Sequence, residues 1–251
     1  MRRWLLTLLL LIASLPAHAG EQITIAAAAD LKFAMDEIIG LFGKSHPDSL
    51  VTTIYGSSGN IQTQIRQGAP YDLYFSADIA YPRTLKAEGL ATGEVQPYAL
   101  GRIVLWSVSR GALKLSDLTD PSVRKIAIAN PGHAPYGKRA EEALKAAGVW
   151  DKVEAKLVYG ENVAQTAQFV QTGNADVGII ALSQAMSAEL SRQGSYTLIA
   201  QSQHQPLEQG FILTRRATNN AAAHDFARFM ASKDARTIMI RYGFALPAET
   251  K

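Results

Sequence analysis

Through most of the chain, short runs of apolar and β-branched residues alternate with stretches whose apolar positions recur every three or four residues. Gln22 to Ile25 reads as a strand, after which Leu31, Met35, Ile38, Ile39 and Phe42 fall on one face of a helix. Leu50 to Tyr55 is the next strand, Ile61 and Ile65 mark a short helix, and Tyr71 to Ser76 alternates as a third strand. This βαβαβ order predicts an α/β fold with a mostly parallel sheet and crossover helices. A second series starts at Lys125 to Ala129, continues through a helix ending near Gly148, and adds strands near Lys156 to Val158 and Val177 to Ile180. Gly101 to Val108 and Phe211 to Leu213 read as strands that cross between the two units. The expected organisation is therefore two lobes, residues 20–100 with 211–251 and residues 101–210. Ligands of open α/β sheets bind beyond the carboxyl ends of the strands, so two such lobes form a cleft that can close on a small molecule.

The first 19 residues do not belong to this pattern. Arg2 and Arg3 precede an apolar run from Trp4 to Leu15, and Ala17-His18-Ala19 then supplies a small-residue cleavage signal before Gly20. That is the layout of a cleavable signal peptide, and it predicts export to the periplasm. The run is shorter than a membrane span, and no Cys follows it to accept a lipid.

Arg2 and Arg3 also account for most of the formal charge of +3. Without them basic and acidic residues nearly balance, and no basic run suggests nucleic acid. Zero Cys excludes disulfides and thiolate metal sites, while the five His residues include no closely spaced metal-binding pair. No metal or cofactor is expected. At 47% hydrophobic over 251 residues, stability must come from one large or two medium apolar cores.

Candidate chemistry lies at the corners where strands turn into helices. Ala26-Ala27-Ala28-Ala29-Asp30 and Tyr55-Gly56-Ser57-Ser58-Gly59-Asn60 each end a predicted strand and open a predicted helix. The first amides of a helix lack partners and carry partial positive charge, so two such corners suit an oxyanion. Taken singly, each also reads as an ordinary N-cap. A hydrolase using Ser57 or Ser58 as nucleophile and His133 as base is the rival from another class. The spacing Gly56-Ser57-Ser58-Gly59 does not make a nucleophile elbow, and Pro131, Gly132 and Pro135 around His133 suit a rigid loop.

Five blocks in order carry a resemblance to a known family: Ala27-Ala28-Ala29-Asp30-Leu31; Gly56-Ser57-Ser58-Gly59; Gly68-Ala69-Pro70-Tyr71-Asp72-Leu73 with Phe75-Ser76-Ala77-Asp78; Pro131 to Gly137; and Arg241-Tyr242-Gly243-Phe244. Together they resemble the periplasmic molybdate-binding proteins of ABC importers over essentially all of the chain after the leader. The resemblance implies a two-lobed, type II periplasmic-binding-protein fold. It implies molybdate, and tungstate with it, as ligand in the cleft, and a membrane ABC permease as partner of a monomeric carrier. Another tetrahedral oxyanion such as phosphate, sulfate or chromate is the alternative ligand. A sensor or chaperone subunit that delivers nothing is the alternative role.

Carried over residue by residue, the resemblance implies four ligand-binding positions. Ser58 matches a Ser that offers hydroxyl and amide, with Ser57 beside it structural. Val163 matches a position that gives only its amide. Tyr136 sits where the amide binds and some members add a Tyr hydroxyl. Other members take that hydroxyl from the position of Ala181, which cannot supply one here, so the Tyr136 hydroxyl is expected to donate.

Asp30 departs from the family, where Ser or Asn is usual. An ionised carboxylate about 4 Å from a dianion would be repelled by roughly 8 kcal/mol at an effective dielectric near 20. Three roles stay open. The carboxylate caps its own helix while the amide meets the ligand, which is the expectation; or it is protonated and donates; or it accepts from a protonated oxyanion.

Overall fold

The computed structural model describes residues 22–247, so the expected signal peptide lies outside the described residues. Strand β1 (Gln22–Ala28) runs into a single 3₁₀ turn, Ala29–Leu31, and then α1 (Lys32–Ser45). There follow β2 (Leu50–Gly56), α2 (Ser58–Arg66), β3 (Leu73–Ser76), α3 (Ala80–Ala87) and β4 (Ala91–Gly101). The second unit holds β5 (Ile103–Ser107), β6 (Ile126–Ala129), α4 (Pro135–Ala146), the short α5 (Trp150–Val153), β7 (Leu157–Gly160), α6 (Val163–Gln171) and β8 (Val177–Ala181). It closes with two single-turn helices, α7 (Leu182–Ala185) and α8 (Leu190–Gln193), and with β9 (Ser195–Leu198). β10 (Leu207–Thr214), α9 (Ala221–Phe229) and α10 (Lys233–Arg241) return to the first.

Two five-stranded sheets result, ordered β2-β1-β3-β10-β4 and β7-β6-β8-β5-β9. In each, the βαβ strands pair in parallel: β1 with β2 and β3, and β6 with β7 and β8. The strands that follow a crossing run the other way. β10 is antiparallel to β3 and β4, and β5 is antiparallel to β8 and β9. The sheets are thus mixed but keep four of their five strands in one direction, because a strand arriving from the other lobe enters at the opposite end from one delivered by a crossover helix. β5, read as a crossing, sits inside the second sheet, and β10 joins the first sheet at Leu207, ahead of the 210/211 boundary expected from the sequence. The crossings themselves are the short links Gly101–Ile103 and Ile199–Leu207.

Each sheet has its own apolar core. Ile23, Ile25, Met35, Ile38, Phe42, Phe75 and Phe226 form one, with Phe42 edge-on to Phe226. Trp106, Ile126, Ile128, Leu144, Val177 and Ile180 form the other. The parallel register brings Ala28 of β1 level with Gly56 of β2, and Ala129 of β6 level with Gly160 of β7. The carboxyl ends of both sets of strands, and the helix starts that follow them, therefore face one cleft.

Candidate functional site

Four helix starts meet in that cleft, two from each sheet: the turn at Ala29–Leu31, α2 at Ser58, α4 at Pro135 and Tyr136, and α6 at Val163. They bound a small cavity of about 10 Å³ with Ala28, Gly56, Ala77 and Asn162. No Lys, Arg or His lines it among the described residues.

Local chemistry decides which donors remain open. At α6 the Asn162 side chain accepts from the amides of Ala164 at 2.9 Å and Gln165 at 3.1 Å. That satisfies the second and third residues of the helix and leaves the Val163 amide, at the first, without a capping partner. Pro135 starts α4, where its missing N–H costs nothing, and Tyr136 follows in the same first turn. At α2 the Ser58 hydroxyl accepts from the Ala77 amide at 3.0 Å, so its own hydrogen is free to donate elsewhere. Ser58 is fully buried, and its carbonyl is held by the Tyr74 hydroxyl at 2.7 Å.

The lobes touch around this space. The Gly59 amide donates to the His133 carbonyl at 2.9 Å, and the Ser183 hydroxyl donates to the Asp30 carbonyl at 2.8 Å. A Cβ at Gly59 would lie 2.8 Å from the His133 carbonyl oxygen, so only glycine lets the lobes approach this closely. Ser57 Oγ and His133 Nδ1 lie 2.9 Å apart, with Glu161 3.6 Å from His133 Nε2. The trio looks like a nucleophile, base and orienter. It is assembled only by lobe closure, and Ser57 is then 4% exposed, with no room for a substrate.

Asp30 is the outlier in this lining of neutral groups. It is 1% exposed, and Oδ2 accepts from the Tyr136 hydroxyl at 2.9 Å and from Gln209 Nε2 at 2.8 Å. Oδ1 is buried with no hydrogen-bond partner among the described residues. Burial pushes the carboxyl up to about 6, although the Gln209 and Tyr136 hydrogen bonds and the amides of Asp30 and Leu31 pull it back toward the charged form. The Tyr136 hydroxyl is itself pushed well up, first by burial and then by Asp30.

Two expectations are corrected here. Asp30 is not the N-cap residue: Ala28 holds that position and the turn has no side-chain cap hydrogen bond, although the nearby amides of Asp30 and Leu31 favour the charged carboxylate. The Tyr136 hydroxyl gives its single hydrogen to Asp30 and accepts from Gln209 at 3.2 Å, so it has none left for a ligand. Tyr136 is left with its amide. The structure does bring Asp30, Ser58, Tyr136 and Val163 together around one space.

Sequence reasoning missed Gln209, Ser183 and Ala77. Gln209 had a signal: it is a fully buried polar residue within the apolar β10 segment. Ala77 stood in the block Phe75-Ser76-Ala77-Asp78 without a role assigned to it, and Ser183 had no signal.

The family described as bacterial extracellular solute-binding protein matches residues 23–245. The molybdate-binding protein ModA of Rhodobacter capsulatus is 37% identical over 92% of this chain and 90% of its own length. A putative ABC transporter substrate-binding lipoprotein of Bacillus subtilis is 31% identical over 88% and 85%. The solved Azotobacter vinelandii periplasmic molybdate-binding protein superposes with a TM-score of 0.84 at 32% identity, over 90% of this chain and 99% of that one.

Proposed function

The chain belongs to the bacterial extracellular solute-binding protein family, and on that footing we propose that it captures molybdate in the periplasm and hands it to a membrane ABC permease. The observation that carries this reading is a closed space bounded by helix starts from both lobes and lined by no cationic side chain among the described residues. A tetrahedral dianion is held there by dipoles alone. The donors we assign are the Ser58 hydroxyl and amide, the Val163 and Tyr136 amides, and the Asp30 amide in the 3₁₀ turn ahead of α1. Hydrogen bonds to a charged acceptor contribute about 1.5–3 kcal/mol each, and exclusion of water by the closed lobes strengthens them.

Transport requires release, and the two short crossings serve as hinges. Opening must break polar contacts such as Gly59–His133, Ser57–His133 and Ser183–Asp30, and must uncover the small apolar patch where Ala28, Ala29 and Ala77 pack on the second lobe. Tungstate has the same charge and shape and is taken as well. Sulfate is smaller and makes longer bonds to the same donors.

Calorimetric titration of ligand-stripped protein with molybdate, tungstate, sulfate, chromate and phosphate tests the reading. Molybdate and tungstate should bind with one site per chain and well ahead of the other three. Tight phosphate or sulfate binding without molybdate binding would refute it.

A further inference from the structure

We propose that Asp30 meets the bound oxyanion as a protonated acid, its otherwise unpartnered Oδ1 carrying the hydrogen, so that capture of the anion takes up one proton. The inference rests on the oxyanion reading above and names the group that makes binding depend on pH.

The two carboxyl oxygens of Asp30 have different surroundings. Oδ2 accepts from two neutral side-chain donors, Tyr136 and Gln209, and Gln209 is fixed in turn: its Oε1 accepts from the Tyr98 hydroxyl at 2.7 Å. Oδ1 has no donor, although Asp30 lines the oxyanion space. An ionised Oδ1 would be both desolvated and set against a dianion, two costs of the same sign. A hydrogen on Oδ1 removes both and creates a donor whose acceptor is the ligand itself. The proton then lies between two oxygens and belongs to the pair, whichever oxygen it sits nearer.

Among the described residues no cationic side chain lines the space beside the carboxyl. From α4 and β4 the titratable neighbours are Tyr136 and Tyr98, both held neutral by burial. β10 offers the uncharged Gln209, α6 Val163 and α7 Ser183. On α1, Lys32 and Asp36 pair with each other at the surface, 2.9 Å apart. In the unliganded protein the acid titrates near 6. An anion beside it raises that value further, so affinity is full below about pH 6 and falls as pH rises above it, by up to about tenfold per unit. His133 is the other titratable group close by in the interlobe contact, hydrogen-bonded to Ser57 and near Glu161.

The experiment is titration of the ligand-stripped protein with molybdate at about pH 8 in two buffers of different ionisation enthalpy, repeated at lower pH, for the wild type, Asp30→Asn and Asp30→Ser. Free molybdate carries no proton in this range, so uptake reports on the protein. We expect close to one proton taken up per molybdate by the wild type. Asn is the informative replacement: its oxygen accepts from Tyr136 and Gln209 while its amide presents hydrogen where Oδ1 stood. Asp30→Asn and Asp30→Ser should take up none and show affinity flat with pH. A wild type that binds molybdate with no proton uptake overturns the inference and leaves the molybdate reading standing. Uptake that persists in Asp30→Asn assigns the proton to His133 and also overturns it. A wild type that gives no molybdate heat at any pH overturns both. If neither variant folds, the wild-type proton count decides alone.

Discussion

Replacing Asp30 by Asn should change how the ligand-free protein's stability depends on pH, and the structure gives both sign and size. The carboxyl is raised from 3.8 to about 6, chiefly by burial. A folded state that holds its proton more tightly than the unfolded chain is favoured at low pH, so this group's contribution is full below about pH 4 and is lost as pH rises through 6. At 1.36 kcal/mol per unit, the ionised group costs the fold on the order of 3 kcal/mol at neutral pH. Asn carries no such term. Its Nδ2 is left without a partner in the empty site, a constant cost of about 1–3 kcal/mol that does not vary with pH. The difference between the two proteins therefore carries the signal: the variant should gain about 3 kcal/mol on the wild type between pH 4 and pH 8. Urea unfolding of ligand-stripped proteins across that range measures it. Parallel stability curves would mean that Asp30 titrates as an ordinary carboxylate, and the account of its burial would be wrong.

The remaining donors can be removed one at a time. Ser58→Ala should weaken molybdate binding by about 1–3 kcal/mol with the fold retained, whereas an unchanged affinity would move the role to Ser57. Val163→Pro removes the amide while sparing the helix, because Pro suits the first position and Asn162 before it is already extended at φ −150°, ψ 177°, though it also trims a buried side chain; affinity should fall by about 1.5–3 kcal/mol with unchanged circular dichroism. Gly59→Ala should hinder closure, since the new Cβ meets the His133 carbonyl, and so lower affinity with the fold of each lobe retained. Exported protein should begin near Gly20, which an intact-mass measurement would show.

The parallel halves of both sheets were legible because their strands are short, apolar and separated by amphipathic helices, a pattern set by local periodicity. β4 was missed for a physical reason. Its burial runs exposed and intermediate from Ala91 to Gln96, with Gly93 and Pro97 in its path, so its pairing with β10 is decided across the sheet and not along the chain. β9 is likewise a mostly exposed edge strand with no inward face to betray it. The direction of β5 and β10 was hidden too, since apolar periodicity marks a strand but not which end enters the sheet first.

The oxyanion donors were readable because they are backbone amides: a strand that stops at Gly56 or Gly160 and a helix that starts two or three residues later leave them in known places. The surroundings of Asp30 were not. Tyr136 and Gln209 lie 106 and 179 residues further along the chain, and only the second crossing, which returns β10 to the first sheet, puts Gln209 beside Asp30. That neighbourhood also depends on a missing atom. A Cβ on Gly101, at the first crossing, would stand 2.5 Å from the Tyr136 hydroxyl and 2.6 Å from Gln209 Nε2, displacing both donors from Oδ2. The hinge and the acid are thus one structural unit, with donors from β10 and α4 meeting over the residue where the chain leaves the first sheet. A carboxyl can be kept in a dipole-lined anion site because these neutral donors occupy one of its oxygens and leave the other to the ligand.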